Sequence, residues 1–191
     1  ELLRAVASLP LYVDSCAVFL VLAPSVRHEA GHLLDYRTWR GRGWCRLERL
    51  ARRLSLGGTA ALLVKRTDTV FELGAHDYLM EPVGAGAFGM ESDRAELEPI
   101  VRRLVTRKLQ ALLHADLLED YRHLLAWCSL LAQGTQLSWK DMLPSGVAAC
   151  DGDVLGNFSR LLRLDAPCPA AILVASGLGD TGILEALIQA R

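Results

Sequence analysis

No apolar run in the 191 residues approaches the about 18 consecutive positions that a membrane span needs. Neither sign of charge prevails. Lys and Arg number 21 against 22 Asp and Glu, for a net charge of -1, so no global basic field is there to recruit nucleic acid. The sequence has no C-x-x-C. Its five cysteines (Cys16, Cys45, Cys128, Cys150 and Cys168) are odd in number and widely scattered. That excludes an ordinary secreted disulfide framework and predicts a reducing, cytoplasmic setting in which they serve as small buried hydrophobes. Glu1 is not an initiator methionine, and no charged-then-apolar leader with a cleavage site follows it. The chain reads as a piece of something longer. What is present, 51% hydrophobic and 23% charged residues, excludes a disordered or fibrous chain.

Hydrophobic patterning then sets the organisation. Residues 2–9 predict a helical turn or two, stopped at Pro10. The run Val18-Phe19-Leu20-Val21-Leu22, ended by Pro24, predicts a strand buried on both faces, as in a parallel sheet under helices. A polar loop or short helix fills residues 25–42. A helix follows from Trp44, with Trp44, Leu47, Ala51 and Leu54 as its apolar stripe and Arg42, Arg46, Arg49 and Arg53 as a solvated flank, ended by Gly57-Gly58. Residues 60–64 predict a second strand. Helix, strand, helix, strand is the order of an α/β layer architecture.

Residues 73–90 read as a glycine-rich loop. Asp93 and Glu96 then predict a capping box opening a helix through Leu97, Val101 and Leu104. A second helix over 116–133, with Leu117, Tyr121, Leu124, Cys128 and Leu131 on one face, is expected to pair antiparallel with it through residues 114–116. Residues 134–156 read as a linker. Residues 155–164 read as helical, and 170–191 as two short apolar helices split by Gly177-Leu178-Gly179-Asp180. The expected organisation is an α/β domain over 1–113, a helix and linker over 114–154, and a helical repeat over 155–191.

Three motifs bear on chemistry. His28-Glu29-Ala30-Gly31-His32 is a literal H-E-x-x-H. On a helix its two imidazoles would reach one zinc while Glu29 acts as general base on metal-bound water. A zinc-dependent hydrolase using His28, Glu29 and His32 is therefore one reading, with Asp35, Glu48 or Glu72 as third ligands by position alone; a solvated connecting loop is the other. Gly84-Ala85-Gly86-Ala87-Phe88-Gly89 is a literal G-x-G-x-x-G, but neither a strand directly before it nor a further strand after it is expected, so it reads as a lone glycine loop rather than a dinucleotide site. In Trp44-Cys45-Arg46-Leu47-Glu48, Glu48 lies one turn beyond Trp44 at the border of the apolar stripe. A carboxylate there is partly desolvated and suited to a developing positive charge or a sugar hydroxyl. The competing reading pairs it with Arg52 at i+4 on the helix surface.

The strand at residues 17–22, preceded by Leu9-Pro10, Tyr12-Val13 and Cys16 and followed by Arg42-Gly43-Trp44-Cys45-Arg46-Leu47-Glu48, resembles the second half of a TIR-like domain. With Asp35-Tyr36 and Trp39 it also resembles a group of large algal and protist proteins that pair such a unit with ankyrin repeats. Residues 172–188 resemble the paired helices of a degenerate ankyrin repeat, with Asp180 in place of the usual His. One such repeat cannot bury its own face, so further repeats are expected. The resemblance implies a partial flavodoxin-like, TIR-like parallel sheet with helices, followed by an α-helical ankyrin-like segment. It implies a cytoplasmic interaction or signalling scaffold that meets other proteins through the ankyrin-like face, with no resident cofactor, no nucleic acid and no membrane. Enzymatic TIR domains cleave NAD at the bond to nicotinamide with a Glu in W-x-x-x-E, which maps catalysis to Glu48 with Trp44 as its structural partner.

Overall fold

The computed structural model describes residues 2–57, 60–74 and 80–144, so the segment expected to resemble an ankyrin repeat lies outside the described residues. The order is α1 (Leu2–Ser15), β1 (Phe19–Leu22), β2 (Val26–Arg27), β3 (Leu33–Leu34), α2 (Tyr36–Arg40), α3 (Gly43–Arg53), β4 (Ala61–Arg66), β5 (Thr69–Glu72), α4 (Ser92–His114) and α5 (Leu118–Leu131). Short 3-10 turns occupy Val83–Ala85 and Trp139–Met142. Helices with a small mixed sheet make this an α/β arrangement.

The sheet has the order β1-β4-β5. β1 and β4 run parallel, with Phe19 opposite Ala61 and Leu22 opposite Val64. Parallel neighbours need a crossover, and the chain between them supplies α2 and α3. β5 returns antiparallel on the far edge, with an irregularity between Val64 and Arg66. Neither this strand nor the β2–β3 hairpin is evident from the apolar runs, because both are short and mostly exposed.

Side chains alternate across a strand, so each register pair picks a face. Val21 and Leu63 are buried with Ala23 on one side, where Tyr36, Trp39 and Phe19 pack against them. The other face stays open: Leu20 is 51% exposed and Leu22 69%. The expectation of a strand buried on both faces is thus corrected.

The main core lies between helices. Val13 of α1, Leu47, Leu50, Ala51 and Leu54 of α3, Leu97, Val101, Leu104, Val105 and Leu109 of α4, Tyr121, Leu124, Cys128 and Leu131 of α5, and Met142 form one buried cluster. A boundary at 113/114 falls in the last turn of α4, which shares this core with α5. Between them Asp116 takes the left-handed conformation (φ 56°). α1 continues through Pro10 instead of stopping there, and Pro10 is buried. Its ring forgoes one i→i−4 bond, a local cost that tertiary packing offsets. The capping box expected at Asp93 is not formed: Glu91 is the N-cap, and Asp93 sits in the first turn facing Trp44.

The glycine loop is a packing device. A Cβ on Gly84 would lie 2.4 Å from the backbone carbon of Gly134, and one on Gly86 2.5 Å from the Cα of Gly43. Ala87 exchanges backbone hydrogen bonds with the residues opening α3, accepting from the Gly43 N–H and donating to the Gly41 carbonyl, both at 2.8 Å. Residues 84–87 thus wedge between the start of α3 and the end of α5. Gly89 has open space around it. Gly84→Ala and Gly86→Ala are each expected to cost about 1–3 kcal/mol. Gly89→Ala should stay within about 0.5 kcal/mol. Urea unfolding of the three variants checks this, and equal tolerance at all three would show that the wedge is not tight.

Candidate functional site

α3 is the element on which the candidate chemistry converges, and its entry is tightly defined. Asp35 caps α2, its Oδ1 accepting from the backbone N–H of Arg37 at 2.8 Å and of Thr38 at 3.1 Å, while Thr38 Oγ1 accepts from the Asp35 N–H. Such a reciprocal box fixes where a short helix begins. Gly41 ends α2 and Gly43 opens α3, with the Phe88 ring lying where a Cβ of Gly43 would be.

From that start Trp44 and Glu48 fall one turn apart. Trp44 is half-buried, and its indole Nε1–H donates to Asp93 Oδ2 at 3.1 Å, tying α3 to the first turn of α4. Glu48 is also half-buried, and desolvation pushes its carboxyl above the ordinary Glu value. Burial also raises the Cys45 thiol, with the Glu48 charge adding to it. The surface pairing of Glu48 with Arg52 is replaced by another arrangement. Arg52 is 3% exposed, and Nη1 donates to the carbonyls of Val13 at 3.4 Å and Cys16 at 2.8 Å, with Nη2 on that of Ala17 at 3.4 Å.

The raised Glu48 value has a definite sign. Protonated Glu48 favours the folded chain, and that contribution is full below the unfolded carboxyl value and lost as pH rises through the higher folded one. Glu48→Gln, which mimics the protonated form, is therefore expected to raise the melting temperature by a few degrees at pH 7. The gain should shrink toward zero below the ordinary carboxylate range. Thermal unfolding across pH reads this directly, and a gain independent of pH would remove the desolvation account.

The H-E-x-x-H segment is the turn of the β2–β3 hairpin, not a helix. The His28 N–H donates to the His32 carbonyl at 2.9 Å, and the two exposed rings stack with centroids 4.5 Å apart. Proximity is therefore real, but the tautomer matters. Nδ1 of His28 accepts the Ala30 N–H at 3.1 Å, which places the proton of the neutral ring on Nε2. A metal at Nε2 would force a proton onto Nδ1, opposite another N–H. Asp35 is committed to capping α2, Glu48 lies on α3 and Glu72 on β5. Among the described residues no three His, Cys, Asp or Glu side chains are gathered for a metal ion. The purified chain is expected to carry well under one zinc per chain by elemental mass spectrometry. About one zinc, lost on His32→Ala, would establish the two-histidine site instead.

Half of the arginine flank is solvated, with Arg42 and Arg53 exposed, and half is not. Arg49 is 4% exposed, donating through Nη2 to Glu81 Oε2 at 2.8 Å and through Nη1 to the Tyr36 hydroxyl at 3.3 Å. Arg46 is half-buried, with Nε on the Arg40 carbonyl at 2.9 Å and Nη1 on the Pro82 carbonyl at 3.0 Å. The spacing of Arg46 and Arg49 reads as surface because neither Glu81 nor the Pro82 carbonyl can be placed next to α3 without the tertiary fold. A lone Glu81-Pro82 in a stretch otherwise made of small and apolar residues is the one local hint of a buried acceptor.

Comparison of the chain with protein-family models, curated proteins and solved structures finds no match. Among the described residues no helix is long and apolar enough to cross a membrane.

Proposed function

We propose that the chain is a protein-interaction module of a signalling scaffold, built on a TIR-like, flavodoxin-like α/β unit. The observation that carries this reading is the bare sheet face. Leu20 and Leu22 of β1 and Val70 of β5 are exposed, with the half-buried Leu62 and Val64 of β4 between them. Among the described residues β1 is also an open edge, with no charged side chain from Cys16 to Ser25. Parallel pairs are almost always covered on both faces, and natural edges are usually guarded by charge, so this surface gains by association. The expected ankyrin-like contact over 155–191 would add a second surface on the same chain.

Binding of an environment-sensitive hydrophobic dye by the folded full chain tests the reading. Fluorescence is expected to rise on binding, and the double variant Leu20→Lys, Leu22→Lys should abolish most of the rise while leaving the melting temperature nearly unchanged. A wild-type chain that binds no dye has this face already covered, and the reading then loses its support.

Glu48 favours a second, enzymatic reading of the same unit, cleavage of NAD at the nicotinamide bond. A half-buried carboxylate one turn from an anchored tryptophan is suited to stabilise the positive charge that develops on a ribose ring. Nicotinamide release from NAD, compared between the wild-type chain and Glu48→Gln, is the test. The reading requires a loss of about 100-fold or more in the variant. Release at equal rates would exclude Glu48 from that role.

A further inference from the structure

Only Lys65, Lys108 and Lys140 among the 21 basic residues are lysines. Lys65 and Lys140 are exposed, whereas Lys108 of α4 is half-buried. Its Nζ donates to the carbonyl of Ser55, just past the end of α3, at 3.0 Å. Among the described residues it makes no ion pair, and the Asp14 carboxylate of α1 is bound to the neighbouring Arg107 Nη1 at 2.5 Å. Charges from four helices act on this amine. Arg53 of α3 and Arg107 of α4 oppose the ammonium, while Asp120 of α5 and Asp14 favour it. Burial first, and then the Arg53 charge, lower its proton affinity below the ordinary Lys value. Around it are polar atoms with no hydrogen-bond partner: Oγ of Ser55, a residue only 4% exposed, and Nε and Nη2 of Arg107. An arginine could hold the same carbonyl, but it could not give up its proton.

We propose that Lys108 is a modification site at which Nζ takes up carbon dioxide to form a carbamate. The neutral amine attacks the carbon with its lone pair. An N–C bond forms, one C=O π pair moves onto oxygen, and one amine proton leaves to solvent. The reaction needs no oxidant and no activated donor. The side chain passes from a cation to an anion, so Arg53 and Arg107, which oppose the ammonium, favour the product. The unmet Arg107 and Ser55 donors are of the kind that a carboxylate-like group accepts from. Asp14 and Asp120 oppose the anion, which keeps the adduct readily reversible. Carbon dioxide is small and uncharged, which suits an amine half out of water.

The full chain, equilibrated with isotopically labelled bicarbonate over a range of pH, is trapped by ethylation with triethyloxonium and digested. Mass spectrometry then reads each lysine separately. The labelled ethoxycarbonyl group is expected on Lys108 at a yield several-fold above Lys65 and Lys140, and from a lower pH, because the amine must first be neutral. Exposure alone would rank Lys65 and Lys140 ahead. Arg53 and Asp120 are both exposed, and their substitutions should act in opposite directions. Arg53→Gln lowers the Lys108 yield at a given pH, and Asp120→Asn raises it. A label shared equally among the three lysines, or absent from Lys108, overturns the proposal. So does a Lys108 yield that neither substitution moves.

Discussion

Burying a guanidinium costs several kcal/mol unless its donors are met, and α3 buries two of them. Arg52 meets the end of α1 and the residues just after it, donating to the carbonyls of Val13, Cys16 and Ala17. Arg49, one turn earlier on α3, meets Glu81 and Tyr36. The rest of the structure hangs on these two contacts. One fixes where α1 stops and the chain turns into β1. The other holds α2 and the 81–82 segment against α3, and so fixes the side of the sheet that Tyr36 and Trp39 cover. Remove either set of acceptors and a charge remains where water cannot reach it.

Two short motifs show how little a residue pattern says until its backbone is known. H-E-x-x-H is a zinc motif on a helix because i and i+4 then project the same way. Here the same five residues close a hairpin, and within its turn the Ala30 N–H donates to His28 Nδ1, so a metal at Nε2 would put a proton where that bond is accepted. G-x-G-x-x-G holds a pyrophosphate where it joins a strand to a helix. Here it follows a Glu-Pro and serves close approach, with backbone against backbone at Gly84 and Gly134. The backbone N–H groups of Ala85, Gly86 and Ala87 that such a loop would offer a ligand are already used within the protein.

What could be read from the chain is what periodicity controls. The apolar stripe of α3, the run that becomes β1, the strand at 61–64 and the face of α5 through Tyr121, Leu124, Cys128 and Leu131 are all set by side chains at regular spacing. What could not be read depends on contacts distant in sequence. Pro10 is tolerated within α1 because that helix packs on α3 and α4. β5 and the hairpin are too short and exposed to leave an apolar signature. The partial burial of Glu48 beside Trp44 follows from the stripe and is legible. The arginine cluster is not, because Glu81 and Pro82, which accept from it, lie more than thirty residues away along the chain.

α3 separates these two charged systems. Arg46 and Glu48 are two residues apart, about 200° around the helix axis, so their side chains leave on nearly opposite sides. The Arg46 contacts and Glu48 therefore occupy different faces of one helix. The Arg46 and Arg49 contacts position α3 against α2, while Trp44 and Arg52, flanking Glu48, position it against α4 and α1. A carboxylate kept half out of water costs stability, and it persists only on a support rigid enough to hold it there.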